Sequence, residues 1–133
     1  MPRNALTLLK QMMNESFSTY DVRCVENLVS YEHPLTHTAR VTYQIHTDEM
    51  HIDFQYISSN MIVVAVINKA DSKPLLVKRI AYYDYHCIKN DLLNIRDIIH
   101  TVTYESLDAK RITEELDNYF NTKTSPTTFT LVT

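Results

Sequence analysis

His46, His51 and Asp53 are the residues whose types and spacing come nearest to a chemical site. Two imidazoles and a carboxylate make a donor set for zinc or another divalent ion, with a coordination position left open. They stand in two alternating runs. Val41, Tyr43 and Ile45 alternate with Thr42, Gln44 and His46, and Ile52, Phe54 and Tyr56 alternate with His51, Asp53 and Gln55. Placing His46 opposite His51 pairs Ile45 with Ile52, Tyr43 with Phe54 and Val41 with Tyr56. One face is then apolar throughout, and both histidines and Asp53 project from the other, with Gln44 beside Asp53. The plain alternative is a hydrophilic sheet face without the outer groups that orient metal ligands.

Three further groups carry reactive or charged side chains. Glu32, His33 and His37 would share a helical face, but Pro34 and the neighbouring threonines describe a loop. Tyr82, Tyr83, Asp84, Tyr85, His86 and Cys87 place a thiol next to an imidazole. Read as an extended strand, His86 and Cys87 point to opposite faces and cannot exchange a proton. Lys69, Lys73, Lys78, Arg79 and Lys89, with Tyr82 and Tyr83, could form a small basic, aromatic surface for single-stranded nucleic acid. The chain holds 13 Lys and Arg against 16 Asp and Glu, a formal charge of -3, which argues against binding driven by a strong positive field.

The 133 residues contain no glycine, where average usage of about 7% would supply roughly nine. Glycine is what lets a backbone turn through positive φ or approach a phosphate closely. A Walker loop, a dinucleotide fingerprint and a GxSxG elbow are therefore excluded in their standard forms. Turns and helix ends must rely on Asn, Asp and Ser. Cys24 and Cys87 have no zinc-ligand spacing and are too few to staple a small secreted domain. The opening residues lack a signal-peptide apolar run, and the longest apolar stretch, Met61 to Ile67, is too short to span a bilayer. The expectation is a cytoplasmic or otherwise intracellular protein with free thiols, neither secreted nor membrane-bound, and no cofactor is implied.

Apolar content of 44% supports one core. Leu6, Leu9, Met13, Phe17 and Tyr20 recur at helical spacing after Asn4, a candidate N-cap. A strand is expected from Val22 to Tyr31, its alternation slipping at Glu26-Asn27 as a bulge or break would make it. After the alternating pair, a second hairpin turns at Ser59-Asn60 into Met61–Ile67, apolar on both faces, and a further strand runs from Leu75 to Tyr83 with Lys78 and Arg79 as edge guards. Asn90-Asp91 opens a helix with Leu92, Ile95, Ile99 and Val102 on its stripe. Ser106 caps another that carries Ala109, Ile112, Leu116, Tyr119 and Phe120. The expected domain is 1–121, with a Thr-rich tail, 122–133, flexible or paired on a sheet edge through Phe129 and Leu131.

These elements predict an α+β two-layer sandwich: an N-terminal helix, an antiparallel meander of four to five strands, and two C-terminal helices. The order is similar to that of RWD-type interaction domains, whose Tyr-Pro-x-x-x-Pro signature is absent here, Pro74 standing alone in its region. The functional expectation is a non-catalytic protein-interaction module, a small accessory, regulatory or inhibitor protein, self-associating through its sheet into a homo-oligomer. The greasy strand motivates it, because its neighbour's polar face implies that something covers Val64 and Val66. Tyr82, Tyr83, Tyr85, Phe129 and Leu131 complete the expected interface, tyrosine being frequent at protein boundaries. The competing readings are a small-ligand or metal-binding protein using His46, His51 and Asp53, and a weak single-stranded nucleic-acid binder.

Overall fold

In the computed structural model the backbone is described for residues 5–82, 84–105 and 108–132, and side chains for 5–82, 84–104 and 108–122. The chain runs α1 (Ala5–Glu15), β1 (Asp21–Val29), β2 (Thr38–His46), β3 (Met50–Ser58), β4 (Met61–Asn68), β5 (Pro74–Ala81), α2 (Tyr85–Glu105) and α3 (Ala109–Val132). The five strands form one antiparallel meander in the order β1-β2-β3-β4-β5. This is the expected α+β arrangement, with all three helices against one face of the sheet.

Alternation decides the register. His46 pairs with His51, Ile45 with Ile52, Tyr43 with Phe54 and Val41 with Tyr56. The β2–β3 turn is held by the Thr47 amide donating to the Met50 carbonyl at 2.9 Å, while the Met50 amide donates to Thr47 Oγ1 at 3.2 Å. Side-chain and backbone bonds here replace a glycine turn. Ile45, Ile52, Phe54, Ile62, Val64, Val66, Leu76 and Ile80 face the helices. They meet Leu9, Met12, Met13 and Phe17 at the N-terminal end and Leu92, Ile95, Ile99, Ile112 and Leu116 elsewhere. The first helix ends at Glu15, so Phe17 reaches the core from the following turn.

The second of the three helices starts earlier than expected. Asp84 accepts a hydrogen bond from the His86 amide at 2.8 Å, and its carbonyl accepts one from the Cys87 amide at 3.2 Å. An aspartate cap satisfies the free amides of a first turn, so Tyr85, His86 and Cys87 are helical rather than extended. At the start of α3 Asp108 does the same for the Lys110 amide at 3.0 Å. Asn4 and Ser106, expected as caps, lie outside the described residues, as do the tail side chains from 123 onward.

The slip at Glu26-Asn27 is real but is not a bulge. Glu26 pairs with Val41 and Leu28 with Ala39, so the register is unshifted and Asn27 alone has no partner in it. Its φ is 58°, a left-handed value that Asn tolerates better than most residues. Beyond this kink the hairpin curls over the face of the sheet opposite the helices. The Ser30 amide donates to the His37 carbonyl at 3.1 Å and closes the hairpin loop. Tyr31 then hydrogen-bonds Asp53 on β3, and Glu32 lies 3.7 Å from Arg79 on β5. Because β4 runs between β3 and β5, the loop must cross it. The second face of β4, carrying Val63, Ala65 and Ile67, is buried.

Candidate functional site

The curled hairpin encloses a polar network built from the face that the sequence singled out. Asp53 is fully buried. Its Oδ2 accepts from the Tyr31 hydroxyl at 3.0 Å and from Gln44 Nε2 at 3.1 Å, and its Oδ1 accepts from His51 Nδ1. A buried carboxylate needs such donors, since an unpaired one would cost several kcal/mol. With its nitrogen turned to Asp53, Gln44 presents Oε1 to His46 Nε2 at 2.9 Å. That bond fixes the proton on Nε2 and leaves Nδ1 as a bare lone pair, buried and without a partner. The two imidazoles stack at 4.8 Å between centroids. Burial holds His46 below its ordinary pKa, and the positive charges of Arg23 and Lys69 and the His51 ring act the same way against the weaker pull of Asp21. Burial also lifts the Tyr31 phenol well above its usual range, with the Asp53 charge and hydrogen bond adding to it.

His46, His51 and Asp53 thus come together on one face as expected, but within a hydrogen-bond network that also engages Tyr31 and Gln44. Asp53 is committed to the inner nitrogen of His51, to Tyr31 and to Gln44. Among the described residues no group of three His, Cys, Asp or Glu side chains is placed to hold a metal ion. Sequence spacing identified the three residues but missed Tyr31 and Gln55. The Gln55 amide donates to the Val29 carbonyl at 2.9 Å and accepts from the Tyr31 amide at 3.0 Å. The only sequence signal for these long-range contacts was the faulty alternation beside Asn27.

The interface residues are distributed differently from the expectation. Val64 and Val66 are 0% exposed and belong to the core beneath the helices. The idea that these two valines await a partner is corrected: the chain's own helical layer roofs them, because 64 and 66 share the parity of Ile52 and Phe54, which belong to the core shared with the helices. Tyr82 and Tyr85 are half-buried and pack on the same core. Tyr83, and the side chains of Phe129 and Leu131, lie outside the described residues.

The basic residues do not form one surface. Lys78 pairs with Asp117 of α3 at 3.1 Å, Arg79 lies against Glu32, and Lys69 donates to the Thr47 carbonyl at 2.6 Å. Cys24 and Cys87 are free and exposed. Glu32 and His33 are neighbours at 3.2 Å in the hairpin loop, and the His33 and His37 rings meet edge to face at 5.4 Å. An open trough of about 930 Å³ lies between the β2–β3 and β4–β5 turns and the start of α3, lined by Asp48, Glu49, Lys69, Leu75, Lys110 and Glu114 among others. It shares no residue with the Asp53 network. Among the described residues no helix is long and apolar enough to cross a membrane. Comparison with family models, curated proteins and solved structures finds no match for this chain.

Proposed function

We propose that this chain is a non-catalytic protein-interaction module that self-associates through its sheet, at the free edge of β1. The polar side chains that could have served catalysis bond to one another rather than to an open cleft, which supports the non-catalytic part. The observation that carries the association is the edge itself. Among the described residues β1 pairs with no strand other than β2, and the outward amides and carbonyls of its Asp21–Glu26 part invite another strand.

The part of β1 before the Asn27 kink runs from Asp21 to Glu26. A two-fold axis perpendicular to the sheet brings residues of the same face opposite each other. Centring the pair on Arg23 would oppose two guanidinium groups. Centring it on Cys24 sets Arg23 against Val25 and Val22 against Glu26, with no like charges opposite. Cys24, exposed, then faces its own copy.

Light scattering across a concentration series is the test, with mild oxidation as a second readout. The expected result is a dimer that oxidation traps through Cys24. Replacing Cys24→Lys should then give a monomer of unchanged circular dichroism. A monomer at every concentration, with no oxidised dimer, would overturn the reading.

A further inference from the structure

We propose that the distal β1–β2 hairpin, residues 28–39, is a hinged flap, closed in this structure over a second apolar face of the sheet. The hinge is the single gap in the β1–β2 register, at Asn27, where the backbone enters the left-handed region. A local kink flanked by intact pairing concentrates a change of direction in one residue and leaves the arm beyond it stiff.

The way the arm is fastened sets it apart from the rest of the fold. Between its anchor points on Asp53, Gln55 and Arg79 lie Val63 and Ala65, which with Ile67 form an apolar stripe of β4 buried as completely as the helix-side core. The arm's bonds to the sheet are polar ones, Tyr31 to Asp53, the Gln55 amide to Val29 and Tyr31, and Glu32 near Arg79, beside the buried Ala39 and the half-buried Leu28 at its base. The large apolar side chain in its loop, Leu35, points outward and is 99% exposed, and Val29 at its root is 53% exposed. The helix side of the sheet is sealed by three helices with interlocked apolar side chains; the flap side is roofed by one hairpin. Opening breaks these few bonds and exposes the area under one hairpin while the helix-side core stays packed, so it costs less than global unfolding.

Opening needs no change in β2–β5 pairing. It uncovers Val63, Ala65 and Ile67 together with the backbone-binding amide of Gln55. The Asp21–Glu26 edge of β1 lies before the hinge, so the motion does not rest on the association proposed above.

The experiment places a thiol under the flap with Ala65→Cys in a Cys24→Ser, Cys87→Ser background, and follows its reaction with a disulfide reagent in increasing urea. The expected rate at low urea rises with denaturant much less steeply than global unfolding does, and Tyr31→Phe raises it roughly three- to tenfold, the effect of one lost hydrogen bond. A rate in water that falls on the line extrapolated from global unfolding would overturn the flap. Should the introduced thiol perturb folding, hydrogen exchange of the Tyr31 amide in the unaltered chain gives the same answer. It should exchange by a pathway less steeply dependent on urea than global unfolding, whereas protection equal to that of the Val64 amide would reject the hinge. Both rates report an opening within one chain, so they read the flap whether or not light scattering finds a dimer.

Discussion

Gln44 does more than fill a place on β2. By giving its nitrogen to Asp53 it settles which way its oxygen points, and so which nitrogen of His46 carries the proton. Protonating His46 would bury a second N–H with no acceptor, beside the positive charges of Arg23 and Lys69. The folded state therefore binds this proton more weakly than the unfolded chain, whose imidazole titrates near 6.5. The resulting stability is fully present above that value and is lost as pH falls through it toward the lower folded pKa. Comparing thermal melts at pH 7.5 and 5.5, His46→Gln should lose less stability on acidification than the parent. Thr42 offers a test with the opposite sign. Its hydroxyl is buried without a partner, so Thr42→Val should raise stability by about 1 kcal/mol, read from the urea midpoint. Asp53→Ala leaves three donors facing a void and should cost about 3 kcal/mol in the same assay.

Caps and kinks do at the scale of the element what glycine would otherwise do. Asp84 starts α2, and Asp84→Ala should lower stability by about 1 kcal/mol, with the loss of helical ellipticity confined to fraying of the first turn. Sequence reasoning missed this start because six consecutive aromatic and polar residues from Tyr82 carry no clear period, whereas the capping role of Asp84 depends on one aspartate turning its side chain back. Where a period exists, the reading was sharper. The β2–β3 pairing could be written down residue by residue, since a shift of one would have turned Ile45 and Phe54 outward. The β4 run from Ile62 to Ile67 was legible as covered on both faces, but not by what. The cover on one side comes from contacts such as Tyr31 to Asp53, 22 residues apart, and no local pattern encodes them.

Across the whole molecule the consequence is a sheet with two unequal roofs. Three helices and their interlocking side chains close one side, and a single curled hairpin closes the other. The two valine stripes of β4 should therefore respond differently to mutation. Val64→Asp puts an unpaired charge into the helix-side core, at a penalty comparable to the whole stability of a domain of this size, and the protein should be unfolded by circular dichroism at 25 °C. Val63→Asp meets a roof that can lift, and should leave α2 and α3 folded while the hairpin's amides lose protection. Leu35 stands at the tip of that roof, almost wholly in water. A surface that captured this one greasy handle would pull on a stiff arm pivoting at Asn27, and a touch at the rim would be delivered as bare hydrocarbon in the middle of the sheet.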